Sequence, residues 1–259
     1  MIRSYGLVAM SALLVGSVGA MAQGRGFGGP GFGGPGFGGE FGGRGKVVTG
    51  EPYTAASTSS SVDTLSDGTT ITHSSTGTEA RDAEGRTVTS ITTTGASGKV
   101  THTTVFDPVA HTMTSWSTGS TVATQFTLPT NPPGGRGRGD GPKPGGPGPG
   151  GPGGRGGVKP TVTTAQLSPK SIAGDSATGV KTTITIAAGA EGNDKPLVST
   201  REVWKSTDLG ILLEEISVSP REGSHTFQVT SLTQGTPDAT LFQVPQGYTV
   251  KVETRHRGE

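Results

Sequence analysis

Residues 181–187 read Lys181-Thr182-Thr183-Ile184-Thr185-Ile186-Ala187. In an extended strand, successive side chains point to opposite faces. Thr182, Ile184 and Ile186 therefore share one side, and Thr183 and Thr185 take the other. Thr and Ile branch at Cβ, which stiffens χ1 and favours a pleated backbone over a helix. Gly189, Gly192 and Asn193 then break the run. Both flanking regions repeat this pattern of short β-branched runs cut by turn residues.

Towards the C-terminus, a strand over 197–206 carries Trp204, and Thr207 to Gly210 makes a turn. Ile211 to Val218 is apolar on both faces, the pattern of a covered central strand. Pro220 to Gly223 turns again, after which Phe227 and Val229 alternate with Thr226, Gln228 and Thr230. One short helix is expected. Thr236 can cap the first free amides, Pro237 suits the first helical position, and Asp238 favours the positive end of the dipole. Leu241 and Phe242 would point into the sheet, and Pro245 would end the helix before a last strand over 248–252. Another turn or two of helix is expected after Leu167.

Towards the N-terminus, Asp67-Gly68 reads as a hairpin turn between strands near 55–65 and 69–80. Glu84-Gly85 and Gly95 to Gly98 punctuate strands near 86–94 and 99–106. Asp107-Pro108 opens a turn before strands near 111–117 and 121–128. The fold class is mainly β, an antiparallel meander with a very polar outer face. It spans 46–128 and 160–253 as two halves of one domain, with a tail at 254–259.

Two Gly/Pro-rich tracts flank the first half. Residues 23–45 repeat Phe-Gly-Gly-Pro-Gly, with Phe27, Phe32 and Phe37 five apart and Phe41 one residue early. Collagen needs Gly at every third position, so this is no triple helix. Ordering Gly-rich chain costs more entropy than a few Phe can offset, so the tract reads as a disordered spacer or as weak adhesive points. Residues 129–159 form a second disordered segment, with Arg136, Arg138, Lys143, Arg155 and Lys159 against the single acid Asp140. Arg138-Gly139-Asp140 matches an adhesion tripeptide that a Gly/Arg-rich stretch produces cheaply. Since a flexible loop costs little to shorten, removing 134–157 is expected to leave the fold intact.

The first 22 residues read as a signal peptide. Arg3 is followed by a short apolar run, Leu7 to Val18, well under the roughly 20 residues that span a bilayer. Ala20 and Ala22 are the small residues a signal peptidase reads, so cleavage is expected before Gln23. The mature chain has no later apolar stretch of membrane length and should be periplasmic or extracellular. It has no Cys, so burial and hydrogen bonding must hold it together. The formal charge of +1 gives no case for a nucleic-acid partner.

The search for chemistry ends without a constellation. His73, His102, His111, His225 and His256 are not paired at helical spacing with another His or an acid, and strand pairing could at most bring His102 near His73 or His111. Gly174-Asp175-Ser176 faintly resembles the nucleophile segment of chymotrypsin-like proteases, but Ala177 and Thr178 depart from it, and a turn between strands explains it better. Glu202, Glu214 and Glu215 could pair as acid and base, yet Arg201 and Lys205 stand close enough to neutralise them. The expectation is a protein that is not an enzyme, with no catalytic residue, metal or cofactor. Trp204, Leu213, Phe227, Val229, Phe242 and Tyr248 have two readings: simple core, or the lining of an apolar concavity.

The segments Arg201-Glu202-Val203-Trp204, Ser206, Asp208-Leu209, Pro220-Arg221 and Gly223 lead to Gly235-Thr236-Pro237-Asp238, Leu241-Phe242-Gln243-Val244-Pro245 and Tyr248. Together they resemble a family of uncharacterised exported bacterial proteins. Ile172, Gly174, Gly179, Gly192-Asn193 and the Asp107-Pro108 turn after Val105-Phe106 fit the same pattern. More remotely, the order of strands and the Leu-Phe-x-x-Pro ending resemble the outer-membrane lipoprotein carrier (LolA-like) fold. That resemblance implies an open antiparallel half-barrel whose concave apolar face holds acyl chains, and no catalytic residue to carry over. The expected function is a non-catalytic envelope binding module for a lipid or lipoprotein acyl chain, or another apolar ligand. The alternative is a structural or adhesive protein that contacts an envelope or matrix component through its Gly-rich repeat.

Overall fold

A computed structural model describes residues 47–128 and 159–253. The signal-peptide and repeat readings over 1–45, the 129–158 tract and His256 lie outside the described residues. Twelve strands follow one another: β1 (Tyr53–Thr64), β2 (Thr70–Arg81), β3 (Thr87–Gly95), β4 (Gly98–Asp107), β5 (Thr112–Ser117), β6 (Val122–Thr127), β7 (Thr161–Ile172), β8 (Asp175–Ile186), β9 (Leu197–Ser206), β10 (Leu212–Ser219), β11 (Gly223–Gln234) and β12 (Thr249–Glu253). They form one sheet in the order β12-β6-β5-β4-β3-β2-β1-β11-β10-β9-β8-β7, with β7 and β12 as its edges, so it does not close into a barrel. Every pairing is antiparallel except β12 on β6. The two halves of the chain meet at β1 and β11, from Tyr53↔Gln234 to Val62↔Ser224.

The turns follow the chemistry of their residues. Between β1 and β2, Asp67 Oδ1 accepts the Thr69 amide at 2.9 Å while Gly68 takes φ +86°. That amide also holds the Asp67 carboxyl below its ordinary pKa. Gly174 lies in a two-residue turn with Ala173, both at positive φ, which joins β7 to β8.

Two expectations need correction. The helix around 237–244 is a single 3-10 turn, Ala239–Phe242, and no α-helix occurs among the described residues. Asp238, not Thr236, caps it and accepts the Thr240 amide at 2.9 Å. Between Gly235 and Pro245 there is too little chain to repay helix nucleation. The residues after Leu167 continue β7 to Ile172, with a register irregularity between Leu167 and Lys170. Pro169 looks like a break, but an edge strand tolerates proline because its outer amide has no partner to lose.

Cross-strand partners assign the side chains to two faces. Tyr53, Arg81, Thr87, Phe106, Met113 and Phe126 are successive neighbours on one face. Farther along the same face, Ser59, Phe227, Glu215, Val203 and Val180 are neighbours. This is the Tyr53 face. On the opposite Trp204 face, Trp204 stands between Glu214 and Gly179, and Ala80, Val88 and Val105 line up on β2 to β4.

The first core consists of Ala80, Val88, Val105, Trp116 and Ala123, covered by Phe242, Val244 and Tyr248 from the chain that crosses to β12. The second gathers Tyr53, Ala55, Ile172, Ala177, Trp204, Leu209, Leu213, Phe227 and Val229 around β10. As expected, β10 is an inner strand covered on both sides. Two of its three consecutive buried residues are nevertheless acids, Glu214 and Glu215.

The sheet order changes the expectation for the 129–158 connection. β6 is second from one edge and β7 is the other edge. Ten strand steps separate them, about 48 Å along the sheet. The antiparallel alternation also puts the end of β6 and the start of β7 at opposite ends of the strands. Deleting 134–157 would leave seven peptide links between Leu128 and Lys159, a reach of about 25 Å. The deletion should therefore lower the melting temperature by many degrees, whereas a Gly/Ser replacement of equal length should melt like the parent. Circular dichroism melts of both variants check this.

Candidate ligand-binding face

The six aromatic and aliphatic residues singled out in the sequence do not share one surface. Phe227 and Val229 lie on the Tyr53 face, each 3% exposed. Leu213 is fully buried beside the irregularity between Leu212 and Glu214. Trp204 lies on the opposite face. Its ring covers Gly179, where an added Cβ would stand 2.5 Å from Cε3, and Lys170 Nζ sits 4.2 Å from the ring centroid. Phe242 and Tyr248 pack on the Trp116 core, and the Tyr248 hydroxyl donates to the Ser117 carbonyl at 3.0 Å.

The charged residues resolve into ion pairs. Lys170 donates to Glu214 at 2.8 Å, Lys181 pairs with Glu202 at 3.0 Å, and Arg201 grips Glu215 in two-pronged fashion at 2.8 and 3.0 Å. Glu214 and Glu215, being consecutive in a strand, point to opposite faces, so they do not form an acid–base pair. The Tyr53 hydroxyl donates to Glu79, and Arg81 stacks over the Tyr53 ring while binding the Glu51 carbonyl at 3.0 Å. His102 bonds Ser117, His111 adopts φ +52° in a turn, and His225 bonds Ser59. Among the described residues no group of three or more His, Asp or Glu could hold a metal ion.

A hollow of about 290 Å³ lies between Glu84, Arg86, Asp107, Val109 and Ala110. Its charges are already engaged: Arg86 binds Asp82 and approaches Glu84 at 3.8 Å. The Asp82 carboxylate raises the Arg86 pKa above its ordinary value. With Arg86 committed to Asp82, the hollow offers no free cation to a ligand.

The Tyr53 face has a different character. Val180, Ile184 and Ile186 on β8 and Leu197 and Val203 on β9 stand on it half-buried, and Val162 on the β7 edge is 56% exposed. Ile91, Phe106, Met113 and Phe126 form a separate half-buried apolar patch across β3 to β6, with β2, β1, β11 and β10 between it and the first. Among the described residues, the 3-10 turn packs at β3, and its Phe242 lies on the Trp116 core of the opposite face. The β8 alternation seen in the sequence marks part of this surface. The contributions of β4 to β6 were missed because Phe106, Met113 and Phe126 sit singly in short, Thr-rich runs cut by turns.

Comparison with known proteins adds little. No protein-family model matches the chain, and no curated protein does. Solved structures resemble it, among them the following three, each at 8% identity. An uncharacterized conserved protein from Thermus thermophilus aligns over 78% of this chain and 90% of its own, with a TM-score of 0.41. A DUF1329 family protein from Desulfovibrio piger aligns over 76% and 90%, and a LolA superfamily protein from Nitrosomonas europaea over 75% and 90%, both with a TM-score of 0.28. Likeness at this level assigns neither a ligand nor a residue role.

Proposed function

We propose that this chain is an exported, non-catalytic binding module that takes a lipid or another apolar ligand on the Tyr53 face. The observation that carries this reading is the run of half-buried Val, Ile, Leu, Phe and Met side chains on that face, over which no described element lies. Each such side chain still has apolar area to bury, at about 25 cal/mol per Å², and the patch on the adjacent strands β8 and β9, with Val180, Ile184, Ile186, Leu197 and Val203, is apolar surface of the kind that marks interaction sites. Burial on the same face supports a curved sheet. Tyr53, Ser57, Phe227 and Val229 are all under 4% exposed, which in a single sheet requires neighbouring side chains to lean over them. Curvature of the sheet towards the Tyr53 face would make an open half-barrel with that apolar side inward.

Native mass spectrometry of protein purified without detergent should find a co-purified lipid. A fluorescent apolar probe such as 1-N-phenylnaphthylamine should bind, and the pair Ile184→Glu and Leu197→Glu should weaken it at least about tenfold while the melting temperature changes little. That factor corresponds to the loss of about 1.4 kcal/mol of apolar contact. A clean ligand-free mass together with an unresponsive probe would remove the reading. The adhesive alternative rests on residues 23–45, which lie outside the described residues.

A further inference from the structure

The Tyr53 face also carries two buried polar atoms that the protein leaves without a partner. They are Ser57 Oγ on β1 and His225 Nδ1 on β11. Ser57 is 3% exposed, and the other ring nitrogen of His225, Nε2, bonds Ser59 Oγ at 3.0 Å. Register puts all three residues on this face, Ser57 beside Val229, Ser59 beside Phe227 and Ser61 beside His225. Buried polar groups are almost always paired, because an unmade hydrogen bond forfeits the hydration the group had in the unfolded chain. Among the described residues, the other two such atoms, Asp175 Oδ2 and Trp204 Nε1, belong to the β7–β8 hairpin end and to the Trp204 face.

We infer that these two atoms are the polar end of the ligand site, and that the ligand is a neutral-headed acyl amphiphile of the acylglycerol type. This deepens the reading of the Tyr53 face as an apolar-ligand site and rests on it. Ser57 and Ser59 are two residues apart, so Ser57 Oγ and an imidazole leaning onto Ser59 stand about 7 Å apart along the strand. One oxygen cannot bridge that gap. A glycerol ester, with a carbonyl at one end and hydroxyls at the other, can. A hydroxyl can donate one hydrogen bond and accept two, and the remaining ring nitrogen of His225 can make one, which suits such oxygens. The charge on this face does not favour an anion. Arg201 is committed to Glu215, and Asp63 stands two residues beyond Ser61 on the same face. The acyl chain would lie over Val180, Val203, Ile184 and Leu197 on β8 and β9, across β10 from this row, where Arg201 already matches Glu215. Without ligand, side chains of the same face close over both atoms, and the incoming oxygens replace that contact with hydrogen bonds.

The test compares 1-monolauroylglycerol with laurate, which share a chain length and differ in head, by displacement of 1-N-phenylnaphthylamine from the whole mature protein. The monoacylglycerol is expected to bind roughly five- to tenfold more tightly, the worth of about one hydrogen bond. Ser57→Ala and His225→Phe should each erase most of that preference relative to probe affinity. Ligand-free Ser57→Ala should also melt about 2 °C or more above the parent, because it removes an unpaired buried hydroxyl. Equal affinity for the two heads, or a preference untouched by Ser57→Ala, would overturn the inference while leaving apolar binding intact. Failure of the probe itself to bind would overturn both.

Discussion

Trp204→Ala is expected to be among the most damaging single substitutions in the protein, costing about 3 kcal/mol, the lower end of the range for removing a buried Trp. The ring is 6% exposed and lies flat on the backbone of Gly179, under the Lys170 ammonium. Truncation would leave a cavity over a glycine, which has no side chain to collapse into it, and Lys170 would lose its aromatic neighbour. One term acts the other way. Trp204 Nε1 is buried without a partner, so its removal relieves a penalty of about 1–3 kcal/mol, and this places the net cost at the lower end. Trp204→Phe keeps part of the ring and discards the unpaired N–H, so it should cost far less than Ala. Gly179→Ala should cost about 1–3 kcal/mol by pushing a methyl into the ring. Combined with Trp204→Ala it should be clearly sub-additive, since the clash disappears with the indole. Urea unfolding of the four variants reads all of these values.

Arg201→Met is expected to cost about 3 kcal/mol, because it strands the Glu215 carboxylate, 1% exposed, on a face where Arg201 supplies two charge-assisted hydrogen bonds. The figure is at the low end for breaking a buried pair because Arg201 is itself one-third exposed, so water can reach part of the site left behind. Arg201→Met combined with Glu215→Leu should recover most of the loss, since an apolar pair of similar volume carries no desolvation penalty. Denaturant midpoints of the single and double variants decide between a stranded charge and simple loss of packing. A double variant no more stable than Arg201→Met would point to packing.

Most strands were legible in the sequence because Thr, Val and Ile runs between Gly, Asp and Pro leave the backbone few alternatives. β1 to β6 and β9 to β11 lie where the alternation and turns put them, whereas β8 starts at Asp175, well before the alternation read from Lys181. What was not legible depends on pairing across the chain. Period two says which residues share a face within one strand, but not which face a distant strand presents. Trp204 and Phe227 looked like partners, yet β10 separates them, because Trp204 pairs with Glu214 and Phe227 with Glu215. The register irregularities between Ala56 and Ser57 and between Leu212 and Glu214 add a shift that no local signal announces. β7 was hidden by Pro169. The parallel docking of β12 on β6 could not be read from five residues whose only partner lies more than a hundred positions away. The ligand-binding face suffered in the same way, since its half-buried members come from six strands and only the β8 triplet stands out alone.

The most direct measurement is photo-crosslinking with an acyl chain that carries a diazirine near its terminus, followed by mass-spectrometric mapping of the labelled residues. The expected result is labelling concentrated on Val180, Ile184, Leu197 and Val203, competed away by unlabelled monolauroylglycerol. Competed labelling on Trp116, Phe242 and Tyr248 instead, or labelling that unlabelled lipid does not displace, would contradict the assignment of the Tyr53 face as the ligand site.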